Sequence, residues 1–291
     1  MRSFRVSHVG AVPVRSRHPV WRKLRRNLSV RTGATLLFTL VMLALLAPVI
    51  APEAPNTQNW FNRLKPPNSS AWLGTDDFGR SVLSRILHGG RVSLLSGVLP
   101  VVLGASIGTL LGLLAGYVGR TTDTLIMRVM DVLLAFPGLL LALAIIGTLG
   151  PGFQNAVLAI GIGLMPTFAR LVRAEVLQLK QVEFVEAAHA LGAPHPRVLL
   201  RHVLPNVASP LIVQATVSVG YAILAAAGLS FLGLGVQPPV SDWGEMLSSG
   251  RRFLPQAWWL EVFPGVMIAL TVLAINLLGD GLRDALDPRT K

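Results

Sequence analysis

The chain reads as long apolar runs separated by short polar breaks, and the runs have the length of helices rather than strands. A helix crossing a bilayer needs about 20 mostly apolar residues. Stretches approaching or exceeding that length fall at 33–51, 92–118, 124–149, 155–171, 206–227 and 262–279. Span 92–118 contains no charged residue, and none occurs from Val203 to Val240. Pro137 falls inside the third run, where a missing N–H and a ring clash predict a kink. Gly150-Pro151-Gly152 predicts a turn between the third and fourth, and the fourth extends as a polar helix towards Lys180. The pattern predicts an all-α polytopic membrane protein with six transmembrane helices.

The polar breaks carry their own elements. In 53–91, Thr75 or Asp76 is positioned to cap a short helix whose Val82, Leu83, Ile86 and Leu87 form one apolar stripe. That helix is expected to lie along the membrane surface or against the next span. Gly228 to Pro239 is too rich in glycine and proline to continue the fifth helix. A short helix is expected over 241–260, capped by Ser241 or Asp242, with Trp258-Trp259 at an interfacial aromatic belt. Arg128 and Asp131 stand three residues apart, a spacing that lets them pair on one helical face. Gly104, Gly108, Gly112 and Gly116 form a small-residue stripe. It allows close helix packing, either within the chain or against a subunit or pathway.

Composition sharpens this picture. With 52% hydrophobic and 14% charged residues, no cysteine and a mean hydropathy of +0.59, the chain is no ordinary soluble protein. Disulfides and thiolate chemistry are excluded. A net charge of +12 raises nucleic acid as a partner, but the placement of the charge argues against it. Arg2, Arg5, Arg15, Arg17, Arg22, Lys23, Arg25, Arg26 and Arg31 precede the first span without an intervening acid. That is a positive-inside flank beside a lipid bilayer. The basic region and the apolar run are both longer than a cleavable signal peptide requires, so an uncleaved anchor is expected. The layout is therefore a basic cytosolic tail at 1–32, a first span at 33–52 and an external loop at 53–91. A core of five spans follows at 92–285, then a cytosolic C-terminus at 286–291, so both ends are cytosolic.

A charged island, Glu183 to Pro205, interrupts the apolar pattern with the spacing E-A-A-x3-G-x11-L-P. Glu183, Glu186, Arg197 and Arg201 cannot lie in hydrocarbon. The motif resembles the cytosolic coupling loop of permease subunits in bacterial ATP-binding-cassette importers, although His202 stands where that pattern usually carries an aliphatic residue. Further matches are Leu73 to Arg80, Asp131 to Pro137, Ala169 to Arg173, Gly228 to Pro239 and Asn276 to Asp284. With these, the chain resembles the dipeptide/oligopeptide/nickel permease family, and its second (C-type) subunit in particular, over residues 30–290.

That resemblance implies the type I importer permease fold with a cytosolic coupling helix, in the bacterial cytoplasmic (inner) membrane. Glu186, Ala187, Ala188 and Gly192 would contact an ATPase, and Leu204 and Pro205 would set the entry of the fifth span. It implies a heterodimer with a homologous second permease, two ATPase subunits or a fused pair, and an extracytoplasmic substrate-binding protein. No cofactor is expected on this chain. ATP and Mg belong to the partner ATPases, since no phosphate-cradling G-x-x-x-x-G-K-[ST] loop occurs here.

For the pathway, Gln214, Thr216, Ser218, Tyr221 and Asn276 are uncharged polar residues within the spans that could line a wet cavity between subunits; interhelical hydrogen bonding is their alternative use. Oligopeptides and dipeptides are the default substrates, with nickel chelates or glutathione as alternatives. A self-contained channel or secondary transporter leaves the island unexplained, and an embedded metalloprotease lacks its H-E-x-x-H motif.

Overall fold

The computed structural model describes residues 27–182 and 194–286, and among them all regular elements are helical. Helix α1 (Leu28–Leu45) opens at Asn27, whose side chain accepts from the Ser29 amide at 2.9 Å. A single turn, α2 (Ala47–Ile50), follows. Arg91 closes the end of α1 by donating to the carbonyls of Ala44 and Leu45 at 2.8 and 2.6 Å.

Helix α3 (Val82–Val118) is 37 residues of unbroken helix. The surface helix expected before residue 92 and the second span are one rod, about 55 Å long at 1.5 Å per residue. Gly89 and Gly90 do not interrupt it, because their missing side chains admit the 241–242 backbone, Ala44 and the Trp243 ring. Its cap is Ser81, which accepts from the Ser84 amide, rather than Thr75 or Asp76. Asp76 instead closes the preceding turn by accepting from the amides of Phe78 and Arg80, both at 2.9 Å.

The third expected span is broken rather than kinked. Helices α4 (Arg120–Leu134) and α5 (Gly138–Leu149) meet at an angle of 91°. Pro137 has no amide to continue a ladder and pushes the residue before it out of helical geometry. Helix α6 (Phe153–Leu179) is continuous through the polar extension. After the undescribed segment come α7 (His195–Val198), a π turn over Leu199–Val203 and α8 (Leu204–Phe231). The helix expected over 241–260 is shorter: α9 (Trp243–Gly250) passes into a 3-10 turn at Arg251–Phe253. Asp242 is its cap, accepting from the Glu245 amide. Helix α10 (Trp259–Leu286) completes the bundle.

Five of these helices are long and apolar enough to cross a membrane, and the bent α4–α5 pair makes six if counted as one span. The glycine stripe settles the packing of the central pair. A Cβ at Gly104, Gly108 or Gly112 would fall 2.5–2.8 Å from the α6 carbonyls of Gly161, Met165 and Ala169, and one at Gly116 would meet Val176. The stripe is thus an intrachain seam between α3 and α6. Asp131, spaced for Arg128, pairs with Arg170 across that bundle at 2.6 Å, because the α6 arginine approaches from a facing helix.

Candidate functional site

At one end of the bundle, the structure describes only the flanks of the charged island. Glu186, Ala187, Ala188 and Gly192 lie outside the described residues. Leu204 and Pro205 are the first two residues of α8, where the missing proline N–H costs no helical bond. Just before them, Val198 and Val203, together with Val207 of α8, are fully buried against Val172 and Val176 of α6. Leu113 and Tyr117 of α3 flank that cluster. Arg173 holds α4 to α6 by donating to Asp123 at 2.6 Å, and Lys180 donates to the Tyr117 carbonyl at 2.9 Å. The described chain on both sides of segment 183–193 thus packs into one apolar seat a few residues away, through Val176 and Leu179 before it and Val198 and Val203 after it.

The polar residues within the spans divide into two groups. Gln214 donates to the Ser218 hydroxyl at 3.2 Å and Thr216 to the Ile212 carbonyl at 2.9 Å, both within α8. Ser218 is buried. These three satisfy themselves inside their own helix. Tyr221 and Asn276 are exposed, and Asn276 lies beside Gly220. The Tyr221 hydroxyl approaches Gly138, at the start of α5.

At the other end is a buried charge network that the sequence reading left unassembled. Arg85 is 2% exposed and donates to Glu245 at 2.7 Å, with Asp76 at 3.7 Å from its Nε. Arg80 donates to Asp76 at 2.6 Å, Arg252 to Asp77 at 2.9 Å, and Ser249 to Glu245 at 2.6 Å. Trp243 and Trp259 donate their indole N–H groups to the carbonyls of Ile86 and Thr75. Asp242 accepts from the Ser93 hydroxyl, and its burial pushes its carboxyl above the ordinary aspartate range. The network fastens the start of α3 to α9 and to the turn before α3. Its one local signal was the pair of acids Asp242 and Glu245 in an otherwise apolar stretch. Their partners stand some 150 residues away in the chain and could not be read from spacing.

No group of three or more histidine, aspartate or glutamate side chains suited to a metal ion occurs among the described residues. The scaffold is that of a multi-pass membrane protein whose core is a zippered helix pair bordered by a broken span. The chain belongs to the family described as the binding-protein-dependent transport system inner membrane component, whose pattern matches residues 108–291. Residues 18–67 match the N-terminal TM domain of oligopeptide transport permease C.

Relatives resemble it along nearly all its length. The dipeptide transport system permease protein DppC of Alkalihalophilus pseudofirmus is 47% identical over 93% of this chain and 89% of that protein. The di/tripeptide permease protein DppC of Pseudomonas aeruginosa is 48% identical over 93% and 91%. The glutathione transport system permease protein GsiD of Escherichia coli is 49% identical over 94% and 91%. Among solved structures, a chain of the MetNI methionine ABC transporter, in an inward-facing conformation, superposes with a TM-score of 0.56. It covers 70% of this chain and 96% of that one at 18% identity, a likeness of fold alone.

Proposed function

We propose that the chain is the C-type permease of an ATP-driven, binding-protein-dependent importer of short peptides. The observation that carries this reading is identity of nearly one half, across more than nine-tenths of the chain, to dipeptide and di/tripeptide permeases. Glutathione is the second reading, favoured by the equally similar GsiD.

In this reading a homologous second permease completes the pathway and an extracytoplasmic binding protein delivers the solute. The charged island and both chain ends lie in the cytosol. Two ATPase subunits, or one fused pair, hold Mg and ATP and perform the hydrolysis. The chain's own part is mechanical. Glu186 presents a fixed charge to an ATPase, and Ala187 and Ala188 let its backbone approach. Gly192 would be the residue at which a short helix can end, since glycine adopts the left-handed C-terminal conformation without penalty. Closure of the ATPase pair would move this helix, and the valine seat would pass the motion to α6 and α8. The spans would then alternate between outward and inward access.

The test is ATP hydrolysis by the complete complex in lipid, with its binding protein and with dipeptides, glutathione or a nickel chelate added separately. Stimulation by dipeptides is expected. Stimulation by glutathione alone would select the second reading, and response to the nickel chelate alone would overturn both. In Glu186→Ala and Gly192→Leu complexes, stimulation should vanish while the subunits remain assembled. Unchanged stimulation would refute the coupling assignment.

A further inference from the structure

We propose that the break at residues 135–137, with the Tyr221 side chain beside it, lines the water-filled path taken by solute. This rests on the permease reading. Gly138 and Leu139 share a small cavity with Ile160 and Gly163 of α6 and with Tyr221 of α8. Gly163 and Tyr221 both lie towards the middle of their spans, which places the break within the hydrocarbon depth of the bilayer.

Where one helix ends and another begins, the last carbonyls and first amides lose their intrahelical partners. The carbonyls of Leu133, Leu134 and Ala135 and the amides of Gly138, Leu139 and Leu140 find no other backbone partner among the described residues. Hydrocarbon cannot satisfy such groups. Irregular backbone persists at membrane depth only when buried in protein or bordering water. This chain does not bury it, since every residue from 134 to 140 is exposed. A lipid-facing position is therefore excluded, and the break faces the interior of the assembled transporter.

Tyr221 points to water rather than to a dry subunit seam. Tyr221 is 51% exposed, and its hydroxyl lies where a Cβ at Gly138 would come within 2.7 Å. A tyrosine so placed keeps an apolar body against the bundle and needs a partner for its polar tip. The lining carries the Tyr221 hydroxyl beside unpaired backbone donors and acceptors and no fixed charge, which suits a solute rich in amide groups.

The absence of cysteine from the chain makes the test direct. Ala135→Cys, Phe136→Cys and Leu139→Cys are introduced singly, and each complete complex is reconstituted in liposomes. A charged, membrane-impermeant thiol reagent is added with and without Mg-ATP, and modification is read as the intact mass of this chain. Phe38→Cys on α1 (64% exposed) is the lipid-facing control and Ser70→Cys the loop control. All three break positions should react at least about tenfold faster than Phe38→Cys in one nucleotide state, because the reactive thiolate forms only in water. If all three stay as inert as Phe38→Cys in both states while Ser70→Cys reacts, the break is dry and the proposal fails. Ala135→Cys is the smallest change and keeps the test valid should the larger replacements disturb assembly. Labelling needs no knowledge of the solute, so a complex that labels as expected but ignores dipeptides would refute the peptide reading alone.

Discussion

Replacing Gly112 by alanine tests the seam on which the permease core depends. The added methyl would sit 2.5 Å from the Ala169 carbonyl oxygen and 2.9 Å from the Val172 Cβ, against 3.4–4 Å for ordinary contact. Both obstacles belong to the α6 backbone or its first side-chain carbon, so no rotamer change relieves them. The helices must separate by roughly 1 Å near this level, loosening the contacts of Gly108 and Gly116 as well. Overpacking of this kind costs about 1–3 kcal/mol. At about 2–4 °C per kcal/mol, the midpoint should fall by several degrees when the complex is heated in detergent and followed by size-exclusion recovery. Gly147→Ala is the control. Nothing lies within 4 Å of its new methyl, and helix propensity favours alanine over glycine by up to about 1 kcal/mol. The Gly108→Ala/Gly112→Ala double variant should lose less than the sum of the singles, because one separation serves both methyls. A Gly112→Ala midpoint equal to or above that of Gly147→Ala would refute the close-seam reasoning.

Two further predictions concern the buried charges. Glu245→Ala leaves buried Arg85 with only the longer 3.7 Å contact to Asp76 and should cost about 3 kcal/mol; adding Arg85→Met should recover part of that loss, and a double variant weaker than the single would contradict it. Asp242 carries a pH dependence whose sign follows from its raised carboxyl. Folding favours its protonated form, so this contribution is complete below about pH 4 and is lost as pH rises through the raised value. Asp242→Asn stays neutral but replaces one of the two acceptor oxygens that bind Ser93 and the Glu245 amide. Wild type should therefore lead the variant most at pH 4–5 and least at pH 8, as measured by thermal midpoints, and a lead that widens with pH would refute the burial account.

Much of the architecture was legible in the chain because membrane insertion is decided by local composition. Runs of apolar residues had to become helices, since lipid leaves backbone groups no other partner. The island at 183–205 declared itself polar by the same rule. Charge placement and the E-A-A-x3-G-x11-L-P spacing led to the permease family before any contact was known.

Tertiary structure decided which helix each local feature served. The glycine stripe was equally suited to an internal seam or a subunit interface until α6 was seen to present its carbonyls there. Thr75 and Asp76 were plausible caps, yet the turn they build releases the helix only at Ser81. Pro137 announced a kink, while only the fold showed the break to reach 91° with α4 held to α6 through Asp123 and Asp131. Arg85 and Glu245 stand 160 residues apart in the chain, and only the packing of α9 onto the start of α3 brings them together out of water. Periodicity and composition act over a few turns of chain and so specify elements. Partners lie on other helices, where the choice among chemically equivalent faces belongs to the packing of the whole bundle.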